Sequence, residues 1–180
     1  MVNISKLQLT NLQERILKLL FVKAGKALNQ RQISKYLGVS QPAVMKALPG
    51  LAEFIKSEQD KETKRWSVEL NRDEHKVMQL KRVENLKRIY ESGLADFLEK
   101  EFAGATIILF GSYSRGEDLI NSDLDLAIIG RKDKLIDLTK YEKELERQIN
   151  INFYDSFKNI HKHLKENLCN GIVLVGSIEL

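Results

Sequence analysis

The sequence predicts an α+β protein. Its N-terminal domain has three short helices and a β-hairpin, a connector helix follows, and the C-terminal domain is α/β with a small mixed sheet. Three observations carry this. Capped helical segments and a hairpin signal fill residues 1–70. Apolar β-branched runs alternate with helical patterns across residues 93–180, leaving 71–92 for the connector. Charge divides along the chain as well: residues 1–90 carry 18 Lys and Arg against 9 Asp and Glu, whereas residues 91–180 carry 11 against 16. The halves are therefore +9 and −5 within a net charge of +4. A basic half of this kind suits a polyanionic partner; a solvated Lys-rich surface is the plainer alternative.

Composition excludes several classes. The 180 residues are 43% hydrophobic, enough to bury a core, and no segment has a disordered tail's bias. A single cysteine, Cys169, rules out an intramolecular disulfide framework and is expected to be a buried, inert thiol. Met1 to Thr10 lacks the apolar centre of a signal peptide, and no apolar run approaches the ~20 residues of a membrane span. A soluble, cytoplasmic protein without a membrane partner is the expectation.

Thr10-Asn11-Leu12-Gln13 reads as a capping box, followed by Leu12, Ile16, Leu19 and Leu20 at helical spacing. Gly25 closes that helix. Asn29 caps a second helix carrying Ile33, Tyr36 and Leu37, ended by Gly38. Ser40 caps a third, with Pro42 in the first turn, where its missing N–H costs little. Val44, Leu48 and Leu51 would face the core. Pro49-Gly50 limits this helix to roughly eight residues, since an interior proline costs ~3 kcal/mol. Ile55 to Glu58 and Arg65 to Leu70 form a hairpin signal around a basic tip.

Three helices followed by a hairpin, with Leu37-Gly38-Val39-Ser40 at the second turn, resemble the winged helix–turn–helix family over about residues 8–70. The resemblance implies a third helix that enters the major groove of double-stranded DNA and a hairpin tip that touches backbone. Gln41, Ala43 and Lys46 are its exposed third-helix candidates, and Lys61, Lys64 and Arg65 are the tip's phosphate contacts. Use of the same module for dimerisation or protein contact is the alternative. Residues 73–92 then form a polar helix with Val77, Leu80, Val83, Leu86 and Ile89 at intervals of three. Such a stripe winds around a helix of 3.6 residues per turn. It could touch both domains, or one domain and a second subunit, which admits a homodimer.

Thr106 to Phe110 is an apolar strand that ends at Gly111-Ser112. A short helix from Tyr113 to Leu119, a strand from Asp123 to Ile129, a helix from Leu135 to Gln148, a strand from Ile149 to Tyr154, a helix from Phe157 to Asn167 and a strand from Ile172 to Val175 follow. Asp123 and Asp125, two apart on a strand, project from one face. Carboxylates that close repel unless a cation lies between them, and oxygen ligands favour Mg²⁺ with phosphates. Gly111 lets the backbone approach a phosphate; Ser112 adds a hydroxyl and helix N–H groups.

The string Gly-Ser-Tyr-Ser-Arg-Gly-Glu … Asn-Ser-Asp-Leu-Asp-Leu, from Gly111 to Leu126, resembles the DNA polymerase β-type nucleotidyltransferase superfamily and its minimal, antitoxin-like branch. The likeness covers about residues 95–155. It implies transfer of a nucleoside monophosphate from an NTP, expected to be ATP, to an acceptor hydroxyl, with a partner protein as one acceptor class. Gly111 and Ser112 would hold the β- and γ-phosphates, and Asp123 and Asp125 would be catalytic residues that ligate metal. Arg115 would neutralise phosphate charge, or else pair with Glu117 or Asp118 to shape the loop.

The family places a third carboxylate on the next strand. Here Asn150 or Asn152 takes the expected position, Asn150 being the candidate third metal ligand, with an amide oxygen but no charge and no base. Asp155 lies on the opposite strand face unless the strand ends early and turns it in. His161 and His163 in a predicted helix would not share a face. His75 is expected to be solvated and Trp66 to plug the hairpin core. Two readings follow: a nucleotidyltransferase with a DNA-binding module, or a transcriptional regulator whose nucleotide-binding domain is weak or inactive in catalysis.

Overall fold

The computed structural model describes residues 8–59 and 66–178. The chain divides into two compact units at Lys81/Arg82. In the N-terminal unit, α1 (Asn11–Val22) starts on the expected capping box: Thr10 Oγ1 accepts from Gln13 N, and Gln13 Oε1 from Thr10 N at 2.9 Å. Asn29 and Gln32 cap α2 (Gln30–Leu37) in the same way, and Gly38 ends it at φ 64°, the left-handed region. Ser40 caps α3 (Gln41–Ala47), which Pro49 converts into a 3-10 turn at Leu48–Leu51. Gln13 Nε2 reaches Ala47 O at 3.2 Å, and Gly50 leaves room for it: a Cβ there would lie 2.0 Å from that nitrogen.

Ile16, Leu20, Leu28, Ile33, Val44 and Leu51 make the centre of this unit's core. Strands β2 (Ile55–Gln59) and β3 (Trp66–Leu70) form the expected antiparallel hairpin. A two-residue strand that the sequence reading did not anticipate, β1 (Leu28–Asn29), pairs antiparallel with β3, giving the order β1-β3-β2. Three helices and this small sheet are a winged-helix arrangement. Trp66 corrects the expectation of a core plug. It shares the face of Val68 and Leu70 but is 50% exposed, because it stands at the first position of β3, at the hairpin's outer end, where burial has given out.

Helix α4 (His75–Glu91) also departs from the reading. The predicted stripe at intervals of three fails at Val83, which is 66% exposed. The buried residues recur every four positions instead: Val77, Lys81, Asn85 and Ile89. Two of these are polar, so hydrophobicity alone pointed to the wrong face.

In the C-terminal unit, α5 (Leu94–Glu101) precedes the mixed sheet β6-β5-β4-β7. Strand β4 (Thr106–Phe110) pairs antiparallel with β5 (Leu124–Ile129) and with β7 (Ile172–Val175). Strand β6 (Ile149–Tyr154) runs parallel to β5. Alternation divides the side chains between two layers. Ile107, Leu109, Leu124, Leu126 and Ile128 pack with α5 residues Leu94, Ala95 and Leu98. Ile108, Ala127 and Ile129 pack with Phe157, Ile160 and Leu168.

The helices here are shorter than predicted. Helix α6 (Gly111–Arg115) begins at the glycine itself and stops before Asp118. Helix α7 (Thr139–Leu145) starts where Asp137 accepts from Thr139 N; hydrogen bonding from the Thr139 side chain, and then from its backbone, holds the Asp137 carboxyl below its usual range. A 3-10 turn at Phe157–Asn159 precedes α8 (Lys162–Cys169). Cys169 is exposed, contrary to expectation, because its neighbour Leu168 takes the inward position at the helix end. No helix among the described residues is long and apolar enough to cross a membrane.

Candidate functional site

The sheet register assembles the predicted residues at one end of β5. Phe110, the last residue of β4, pairs with Asp125, and Asp125 also pairs with Asn150 on β6. Gly111 therefore turns the chain directly beside the Asp125 carboxylate. Its φ is 73°, and a Cβ built on it would stand 2.6 Å from Asp125 Oδ2. Two independent constraints, backbone handedness and space, thus require glycine here. Ser112 follows in the first turn of α6, half-buried.

Asp123 lies one residue before β5, not within it, and is exposed, while Asp125 is half-buried. Asn150 Nδ2 donates to Asp123 Oδ2 at 3.1 Å. Asn150 thus stands beside both carboxylates, in register with one and bonded to the other. Asn152 pairs with Ala127, further along. Asp155 does not turn in. It lies five residues beyond Asn150, ~16 Å at strand rise, and lines a cavity at the other end of the sheet with Thr106, Ile129 and Gly130.

Arg115 Nε bonds Glu117 Oε2 at 2.7 Å on the surface, the loop-shaping arrangement. Asp118 has a different environment. Its side chain is inaccessible, Arg147 Nη2 approaches Oδ2 at 2.9 Å, and Asn85 Nδ2 donates to Oδ1 at 2.7 Å. Sequence reading did not single out Asn85 and Arg147. No spacing signal pointed to them: Asn85 interrupts the apolar pattern of α4, and Arg147 lies past the end of α7 in a stretch expected to be helical. Beside them, Tyr113 is buried with a phenol that burial pushes up to about 12.

Asp123, Asp125 and the amide oxygen of Asn150 offer an all-oxygen donor set that fits a hard divalent cation. Among the described residues, no three or more His, Cys, Asp or Glu side chains gather as a metal cluster. Two carboxylates match the charge of one divalent ion, whose remaining ligands would have to come from outside this donor set. His161 and His163 come closer than expected, with ring centroids 5.5 Å apart, because His161 precedes α8 rather than lying within it.

On the N-terminal unit, Gln41 and Lys46 are exposed along α3, with Met45 between them, and Ala43 is half-buried. Lys61, Lys64 and Arg65 lie outside the described residues.

No curated protein matches the chain. Among solved structures it is similar to the S. aureus MepR–DNA complex, at 23% identity and TM-score 0.38 over 52% of this chain and 77% of that one. It is also similar to the adhesin competence repressor AdcR of Streptococcus pyogenes, at 24% identity and TM-score 0.40 over 55% and 72%. A third likeness is to a variant of Lactococcus lactis ZitR, at 26% identity and TM-score 0.39 over 56% and 67%. The C-terminal unit is similar to the nucleotidyltransferase domain: that family's model matches residues 91–175, the stretch that holds Gly111, Ser112, Asp123, Asp125 and Asn150.

Proposed function

We propose that the C-terminal unit binds a Mg²⁺–nucleoside triphosphate, with ATP the expected nucleotide, at Gly111, Ser112, Asp123 and Asp125, and that the N-terminal unit binds double-stranded DNA. The observation that carries the nucleotide reading is the contact between Gly111 and Asp125. A glycine directly after a strand, pressed against a carboxylate, places backbone and metal ligand within reach of one triphosphate. Mg²⁺ held there would neutralise phosphate charge and polarise the reacting phosphoryl group. Asp123 and Asp125 hold the ion; Gly111 and Ser112 orient the β- and γ-phosphates; Arg115 exchanges Glu117 for phosphate.

The match to the nucleotidyltransferase domain supports nucleotidyl transfer. The acceptor hydroxyl oxygen bonds to the α-phosphorus, the bond from that phosphorus to the bridging oxygen breaks, and pyrophosphate leaves. The hydroxyl proton passes to solvent, since Asn150 is no base. A partner protein is the proposed acceptor class. Asn150 also favours a second reading, a regulator that binds nucleotide and transfers it slowly or not at all. It adds no charge where a third carboxylate would help stabilise the transition state.

Incubation with labelled ATP and Mg²⁺, with and without lysate, separates the readings. Label transfer that disappears in Asp123→Ala and Asp125→Ala supports the enzyme. Nucleotide binding without transfer leaves the regulator, and absence of binding removes both. DNA affinity should fall steeply as salt rises.

A further inference from the structure

We infer that Asn85, Asp118 and Arg147 form a buried clamp that positions the loop between Ser112 and Asp123. The clamp's functional consequence rests on the nucleotide reading above. The loop buries a charged group that surface loops normally leave in water: Asp118 is fully buried, and the Arg147 side chain is 1% exposed. Two separate elements hold its carboxylate. Asn85, on α4, donates from one amide nitrogen to Asp118 Oδ1 and to Tyr113 O at 2.7 and 3.0 Å. Arg147, between α7 and β6, holds Oδ2.

The hold extends to the site. Gln148 O accepts from Leu124 N at 2.8 Å, so consecutive residues 147 and 148 grip the chain at 118 and at 124. Asp123 lies between those grips, facing Asn150. At the other end, Glu117 N bonds Ser112 O at 2.9 Å, tying the loop back to the first turn of α6. The residue before Arg147 is strained: Glu146, at φ 54°, is the one non-glycine residue with positive φ among those described. Its carbonyl accepts from Arg147 Nη1 at 2.8 Å.

Stability alone does not account for this arrangement. A buried ion pair recovers little beyond its desolvation cost, and apolar residues of similar volume serve as well or better. What apolar residues lack is direction, and two charged hydrogen bonds from two elements fix where the loop runs. Asn85, Asp118 and Arg147 are thus positioning residues that touch no nucleotide.

The test replaces the pair by apolar residues in the full chain, Asp118→Leu with Arg147→Met. The double variant is expected to melt at or above the wild-type temperature. Its amides from 113 to 123 should nevertheless exchange roughly tenfold faster or more, and its affinity for a non-hydrolysable Mg²⁺–ATP analogue should fall roughly tenfold or more. A merely structural pair would move affinity and melting temperature together. If the double variant does not fold, Asn85→Ala with the same readouts decides the matter. Unchanged loop exchange in a folded variant overturns the clamp. If the wild type binds no analogue, the nucleotide reading falls, and loop exchange alone then supports or overturns the clamp.

Discussion

Asn150 donates a hydrogen bond to the Asp123 carboxylate at 3.1 Å while standing in register with Asp125. An amide therefore occupies the gap between two acids, relieving repulsion that a third acid would add. Asn150→Asp should cost roughly 0.5–1 kcal/mol without divalent ions, as like charges brought together on neighbouring strands do. Mg²⁺ should restore that loss, so the melting temperature of the variant should rise more with added Mg²⁺ than that of the wild type. An equal rise in both proteins would count against Asn150 as a neighbour of the ion.

Gly111→Ala forces an alanine into φ 73° and drives its Cβ onto Asp125. The expected loss is about 1–3 kcal/mol in urea titration, from backbone strain and displaced carboxylate. Gly38→Ala provides the control. It shares the positive φ, but no atom lies within 4 Å of its Cβ, so it should lose less.

Tyr113 predicts an alkaline weakness. Its phenol is pushed up to about 12 by burial, above the ordinary 10.0. From about pH 10 the unfolded chain loses this proton while the folded chain keeps it. The folded state then binds more protons, and stability falls by about 2–3 kcal/mol as pH rises to about 12. Tyr113→Phe should abolish that share of the decline. At pH 7 it should cost little, since the buried hydroxyl has no hydrogen-bond partner. Denaturant midpoints at pH 7 and pH 11 for both proteins measure the difference.

On the N-terminal unit, exposed Lys46 and Gln41 should separate into two roles if α3 meets DNA. Lys46→Ala should weaken binding similarly on all sequences and reduce the salt slope by about 1. Gln41→Ala should instead relax discrimination at particular base pairs. Loss of affinity that is independent of both salt and sequence would point away from this face.

The strands β4, β6 and β7 were legible to their end residues, because each is an apolar or alternating run bounded by glycine, a polar turn or both. The N-terminal helices were legible for another reason: Thr10, Asn29 and Ser40 are capping residues whose side chains bond the first turn. Gly111, Ser112, Asp123 and Asp125 could be singled out by spacing, and the register brings Gly111, Asp125 and Asn150 together. What spacing could not reveal was any contact made by a polar residue in an apolar position. Lys81 and Asn85 concealed the buried face of α4, and Arg147 looked like a surface residue of a longer α7. Cys169 and Trp66 were misplaced because each stands at the end of its element: Leu168 takes the inward position beside Cys169, and Trp66, though on the face of Val68 and Leu70, lies at the hairpin's exposed end.

Phe110 and Asp125 are partners across β4 and β5, so the chain leaves the sheet and returns to it on the same rung. Of the fourteen intervening residues, Leu124 already belongs to β5 and Tyr113 roots the segment in the core, while the rest are an appendix to the hairpin. Evolution can lengthen, shorten or rewrite such an appendix while the sheet keeps folding, provided Asn85 and Arg147 change with it. Descendants of this architecture can therefore lose the chemistry and keep the scaffold, and a well-folded protein of this shape says nothing by its fold alone about whether its site still works.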